Sequence, residues 1–238
     1  MRRLLTAALA CCLVLGTAVY ARAYEGGTVS DGGSISGEVK YAGNPPAPKK
    51  LTISKSQEVC GQEKTSPELI IGTNQGIKNA VVYIAQISQG KPMDGHEAVL
   101  EQRGCEYVPH LQVMRAGVPL RVLNRDGLLH NLHTHSRLNP PINKVQPKVK
   151  KEIVERIEQA EIILVKCDMH GWMSAVLVVA DHPYYAITDE NGAFKLTDVP
   201  AGTYQLKIWH ETLGEQTRQV TVIAGGDDRV TAAMKERR

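Results

Sequence analysis

Short runs of β-branched and aromatic residues, each ended by Gly, Pro or Asn, recur along this 238-residue chain and leave little room for helices. Side chains that alternate between two faces suit a half-buried strand, and closely spaced turn residues stop each strand early. The pattern predicts an all-β protein made of sandwiches or barrels. The expected strands are Ser34–Tyr41, Ala80–Ile87, Ala98–Glu101, Leu111–Arg115, Leu120–Asn124, Asn131–His135, Glu152–Ile157, Glu161–Cys167, Ala175–Val179, Tyr184–Thr188, Ala193–Thr197, Gly202–Trp209 and Thr217–Val222. Asn44-Pro45-Pro46-Ala47-Pro48 reads as a rigid connector, because proline-rich chain stays extended. Asn139 to Lys151, with three Pro and four Lys, reads as an exposed, solvated loop.

The N-terminus carries a different pattern. Met1-Arg2-Arg3 is basic, the run from Leu4 to Val19 is apolar, and Ala21-Arg22-Ala23 has small residues flanking a cut point. This order predicts a signal peptide over 1–23, cleaved near Ala23, and a periplasmic or secreted protein. The apolar run is shorter than the roughly 20 residues a spanning helix needs, so stable membrane insertion is not expected. The chain has 28 Lys and Arg against 25 Asp and Glu; losing Arg2, Arg3 and Arg22 with the leader leaves 25 of each. A mature chain of near-zero net charge gives no reason to expect nucleic-acid binding.

Cys167-Asp168-Met169-His170-Gly171-Trp172-Met173 places a thiol, an imidazole and a thioether within seven residues. His130 lies upstream in Asn124-Arg125-Asp126-Gly127-Leu128-Leu129-His130-Asn131. One Cys, two His and a weak axial Met are the donors of a mononuclear blue-copper site. The predicted ligands are therefore His130, Cys167, His170 and Met173, with one type 1 copper ion as cofactor. Zinc on Cys167, His170, His130 and His133 is the competing reading, since Cys and His suit zinc; Met173 speaks against it. Export puts the remaining Cys60 and Cys105 in an oxidising compartment. With Cys167 assigned to metal, Cys60 and Cys105 are expected to form a disulfide, the alternatives being two free thiols or a pair that includes Cys167. His133 and His135 are read as surface residues, with His133 facing away from His130 along a strand. His110 reads as structural or exposed, and His182 and His210 belong to no constellation.

Residues 98–180 resemble the cupredoxin family. The resemblance rests on Cys105-Glu106-Tyr107-Val108-Pro109, Gly117-Val118-Pro119-Leu120, Asn124-Arg125-Asp126, His130-Asn131 and the closing Cys-x-x-His-x-x-Met, in that order. The short ligand loop is most similar to that of amicyanin. The resemblance implies a Greek-key β-sandwich and places Asn131 behind the ligands, tying their two segments together and bonding near the Cys167 sulfur. It also implies an apolar docking patch around an exposed His170 edge, for which Leu128, Leu129 and Trp172 are the candidates.

The tail resembles the carboxypeptidase-regulatory-like, transthyretin-type sandwiches. Thr188-Asp189-Glu190-Asn191-Gly192-Ala193-Phe194 and Val199-Pro200-Ala201-Gly202-Thr203-Tyr204 carry that likeness. Residues 184–223 hold too few strands for a complete sandwich, and Ser34–Val39 and Ala80–Tyr83 look like the missing ones. The expected organisation is a leader (1–23), an N-terminal β region partly completing the second sandwich (24–97), a cupredoxin-like domain (98–180) and the regulatory-like sandwich (181–238). No nucleophile elbow, phosphate loop or Cys-x-x-Cys-His motif occurs, so an enzyme is not expected. The expected role is one-electron transfer with a redox protein partner, such as a c-type cytochrome or a copper enzyme. Copper storage or delivery, and a scaffold with a structural metal, are the rivals.

Overall fold

The computed structural model describes residues 23–236, so the leader expected at 1–23 lies, but for Ala23, outside the described residues. No helix among the described residues is long and apolar enough to cross a membrane. The protein is all-β, with one four-residue helix, Gln57–Cys60, among the described residues. All thirteen expected strands are present, their ends shifted by a few residues.

Four sheets stack in series. The first has the order Tyr107–Val108, Ala98–Gln102, Pro119–Asn124, Glu152–Arg156. The second has the order Leu111–Arg115, Ser174–Ala180, Glu161–Lys166, His130–His135, Asn143–Gln146. Between them lies a core that includes Leu100, Leu120, Val122, Leu132, Ile163 and Leu177. The third sheet joins Tyr185–Ile187, Val81–Ile84, Gly202–His210 and Gly214–Val222, and the fourth joins Ala193–Val199, Gly33–Tyr41 and Asp227–Met234. Ile35, Val39, Val82, Leu206 and Ile208 fill the space between these two. Strands from both sides of residues 98–180 thus pair in one sandwich: Val81–Ile84 lies antiparallel to Tyr185–Ile187.

A third apolar layer binds the second sheet to the third. Ser174–Ala180 (SAVLVVA) explains it, because six of its seven residues are buried. Ala175, Leu177 and Val179 face the core of the first sandwich, while Val176 and Val178 face the seam with Val81. A strand covered on both faces needs apolar residues at every position rather than alternate ones. Tyr83 stacks on Tyr185 at the same seam, with ring centroids 4.9 Å apart and an interplanar angle of 2°.

Asp189–Gly192 turns the chain between Tyr185–Ile187 and Ala193–Val199, with the Gly192 N–H donating to the Asp189 carbonyl at 3.0 Å. Asp189 Oδ1 accepts the N–H groups of Asn191 and Ala193, both at 2.8 Å. Gly192 sits at φ 77°, where a Cβ would also come within 2.2 Å of the Val39 carbonyl. Two strands of four or more residues escaped the sequence reading, besides seven of two or three residues. Asn143–Gln146 lies inside the stretch expected to be an exposed loop, and pairs antiparallel with His130–His135. It is held there because Gln146 is buried and donates to the Val122 carbonyl at 3.1 Å. Asp227–Met234 runs parallel to Gly33–Tyr41. Its buried face is Val230, Ala232 and Met234, and the small Ala and the acidic start hid its alternation.

A buried ion pair crosses the seam. His110 Nε2 lies 2.5 Å from Glu211 Oε1, and both side chains are at most 10% exposed. Burial opposes the charge on His110, but the hydrogen bond and charge of Glu211, with the Ser174 carbonyl, outweigh it and raise its pKa. A raised folded-state pKa stabilises the fold fully below the unfolded value and loses that contribution as pH rises through the folded one. Glu211→Gln should therefore lower stability more at about pH 6 than at about pH 9, by about 1–3 kcal/mol at the lower pH. Equal losses in thermal melts at both pH values would contradict this linkage.

Candidate metal centre

His130 opens the strand His130–His135, and Cys167 follows the end of its neighbour Glu161–Lys166. The two strands pair antiparallel with His133 opposite Lys166, which brings those ends to one side of the sheet. The chain after Cys167 then folds back on itself. The Met173 N–H donates to the His170 carbonyl at 2.8 Å, and the Cys167 N–H donates to the Met173 carbonyl at 3.2 Å. A loop of this length needs both closures if His170 is to point back at Cys167.

Three of the four predicted ligands converge. Cys167 Sγ lies 3.8 Å from His130 Nδ1 and 3.8 Å from His170 Nδ1, and the two Nδ1 atoms are 3.0 Å apart. Their donor atoms form one group within 4.8 Å. All three side chains are at most 3% exposed. Met173 is 1% exposed and packs in the same core as Cys167, its backbone closing the loop.

The electrostatics favour a thiolate. Burial raises the Cys167 pKa, but bonding to His130 and to the N–H groups of Asn131, His170 and Met169 outweighs it and pushes the thiol below its ordinary value. Desolvation works against charge on His130 too, yet Asp126 and Cys167 lift its pKa to about 9. His170 moves the other way, to about 4, through burial and then the charge on His130. Two imidazoles in contact cannot both be protonated cheaply, and the one with the carboxylate neighbour keeps the proton.

Asn131 bridges to Asp168, the residue after Cys167. Its Oδ1 accepts the Asp168 N–H at 2.6 Å, and its amide donates to Asp168 Oδ2 at 2.8 Å, locking the two ligand segments together. Cys60 and Cys105 are disulfide-bonded, with Cα atoms 5.1 Å apart, and Cys167 is the free cysteine among the described residues. His133 and His135 lie outside the cluster and stack on each other, with centroids 4.4 Å apart. His110 is structural: its Nδ1 lies 3.0 Å from the carbonyl of Ser174, the residue after Met173. His182 and His210 are buried, each with a ring nitrogen accepting a local backbone N–H.

The expected docking patch needs correction. His170 is 3% exposed, so its edge does not reach the surface. The cause is the disulfide, whose sulfurs lie within 4.8 Å of a His170 ring nitrogen. Leu129 is 44% exposed, whereas Leu128 and Trp172 are partly buried against the core.

The sequence reading missed Asp126 as a partner of the site. Its carboxylate accepts hydrogen bonds from the His130 Nε2–H at 2.9 Å and from the N–H groups of Gly104 (2.5 Å) and Cys105 (2.8 Å). Its position four residues before His130, across a turn with Gly127 at φ 66°, was the available signal. Tyr107 was missed too; its hydroxyl donates to the Asn131 carbonyl at 2.5 Å.

Comparison with known proteins gives two separate likenesses. The carboxypeptidase regulatory-like domain model matches residues 172–235. That match begins inside the ligand loop, and its first strand lies in the second sheet rather than in the regulatory-like sandwich. Among solved structures, a Cu(I) form of an amicyanin mutant is 16% identical, covering 42% of this chain and 98% of that one, with a TM-score of 0.33. A purple cupredoxin from Nitrosopumilus maritimus is also 16% identical, covering 35% and 99% at a TM-score of 0.30. A Cu-containing nitrite reductase from Thermus scotoductus SA-01 is 11% identical, with a TM-score of 0.33, and the match spans a quarter of its length. A search of curated proteins by sequence found no match.

Two imidazole nitrogens and a thiol held toward thiolate fit a soft or borderline transition metal, copper and zinc among them. The carboxylate on the outer nitrogen of His130 orients that ring, as outer partners of ligating His do. Asp126→Asn should lower copper affinity about 10–100-fold while the fold persists. Competition titration with a chelator, alongside near-ultraviolet circular dichroism, measures both; unchanged affinity would remove Asp126 from the site.

Proposed function

We propose that this chain is an exported single-copper protein that passes one electron at a time between redox proteins. The observation that carries the reading is the convergence of His130 Nδ1, His170 Nδ1 and Cys167 Sγ within 4 Å of one another in a dry pocket. His130, Cys167 and His170 would hold the ion, with Met173 as the weak fourth donor. Copper, when bound there, supplies a centre that takes up and gives back one electron.

The chain's own part is to hold these donors still. Asp126 fixes the His130 ring and Asn131 ties Asp168 to the strand His130–His135. The N–H groups around Cys167 stabilise its negative charge, and the surrounding core keeps water away. A frame that moves little between oxidation states keeps the reorganisation small. The partner is read as a small redox protein, such as a c-type cytochrome or a copper enzyme. Near-zero net charge after loss of the leader favours short-range contact over long-range steering.

Copper storage is the second reading, and the burial of His170 favours it, since no imidazole edge meets a partner directly. Electron self-exchange of the loaded protein separates the two; a carrier exchanges measurably, whereas a store does not.

The oxidised, copper-loaded protein should show an intense thiolate-to-copper band in the visible spectrum. Cys167→Ser should abolish that band while the protein stays folded. Met173→Leu should keep the colour and raise the reduction potential, because losing a weak donor disfavours Cu(II). Colourless protein that retains stoichiometric zinc would overturn the copper reading, and voltammetry with no shift in the Met173 variant would remove Met173 as a ligand.

A further inference from the structure

The chain between Tyr41 and Ile70 starts and finishes beside the regulatory-like sandwich, yet its middle packs on the other one. Lys50–Thr52 pairs with Glu63–Thr65, and the helix Gln57–Cys60 sits between them. Ile53 is fully buried and Cys60 is 3% exposed, both in the same core as Cys167 and Met173. The Cys60 and Cys105 sulfurs lie within 4.8 Å of a His170 ring nitrogen. Lys55 is close enough for its charge to act on that ring.

The two halves of the disulfide belong to different bodies. Cys105 is part of the ligand frame: its N–H donates to Asp126 Oδ2 at 2.8 Å, and its carbonyl accepts the Trp172 indole N–H at 3.2 Å. Cys60 belongs to the excursion. Apart from the disulfide, the excursion is held by one fully buried aliphatic plug, a three-residue strand pair and ion pairs such as Lys64–Glu106, whose glutamate is 44% exposed. Exposed ion pairs contribute little, and a segment with so few buried contacts opens locally at small expense unless it is crosslinked.

We propose that residues 50–65 form a cap that the Cys60–Cys105 disulfide locks over the His170 side of the site. Opening of this cap limits the exchange of metal ions and small reagents with Cys167. The proposal deepens the copper reading by saying what governs entry to that site, and rests on it only for the identity of the ion. Access to the thiol itself is independent of that identity. The cap also explains why His170 is buried where the family resemblance implies an exposed edge.

The test uses metal-free, non-reduced full chain. The rate of alkylation of Cys167 by N-ethylmaleimide is followed by peptide mapping, with near-ultraviolet circular dichroism as the check on folding. The Cys60→Ser/Cys105→Ser double variant should react at least about tenfold faster than the parent protein. Cu(I) should pass from the loaded double variant to a chelator faster by a similar factor. Equal alkylation rates in folded protein would overturn the cap. If the double variant loses its folded spectrum, Ile53→Ala with the disulfide intact decides: it should still speed alkylation, and an unchanged rate overturns the proposal. Failure of the blue band would leave the alkylation result standing, so the two readings fall separately.

Discussion

Ser174–Ala180 is the strand on which the rest of the molecule depends. It begins one residue after Met173 and is covered on both faces, by the core around Cys167 on one side and by the seam with Val81 on the other. Burying each of its three Val side chains and its Leu contributes about 1.5–3 kcal/mol. The same strand pairs with Glu161–Lys166 and with Leu111–Arg115, so it fixes both ends of the ligand loop and the position of His110. A polar residue at Val176 or Val178 would separate the sandwiches, whereas one at Leu177 would loosen the site.

The site is polarised before any ion arrives. A buried carboxylate, Asp126, stands behind one imidazole, and three backbone N–H groups stand around the sulfur. The two rings therefore differ, one holding its proton and the other shedding it. Burying an isolated thiolate would be prohibitive, and these partners make it tolerable. The frame around the donors is thus an electrostatic one, built from residues with no need to touch the metal.

Much of this was legible in the residues themselves. Cys167 and His170 are close in sequence, and His130 with Asn131 follows a recognisable Asn-x-Asp segment, so the side chains that cluster could be read directly. The strands were legible where β-branched residues alternate. Asp227–Met234 was not, because Ala232 and Asp227 carry no strand signal and its partner Gly33–Tyr41 is nearly 200 positions away in a parallel pairing. Asn143–Gln146 was hidden by its Lys and Pro neighbours; its place is set by Gln146 reaching the Val122 carbonyl, a contact between distant elements. The burial of His170 was equally invisible. The Cys count pointed to the Cys60–Cys105 bond, but not to the fact that closing it would bring a foreign segment over the imidazole.

The way the two sandwiches share the chain favours assembly of residues 98–180 first. All strands of the first sandwich lie within residues 98–180, whereas the fourth sheet requires Gly33–Tyr41 to meet Asp227–Met234. Closing so long a loop adds little to the equilibrium cost but slows the search, because distant contacts reward the chain late. With residues 98–180 already folded, that search is shortened: Val81 and Tyr185 emerge from neighbouring places, and the flanking segments zip from there outward. The first sandwich is in this sense the jig on which its neighbour is built, and a chain cut short of residue 227 would lose one of the two strand partners of Gly33–Tyr41 while leaving the strands of that jig whole.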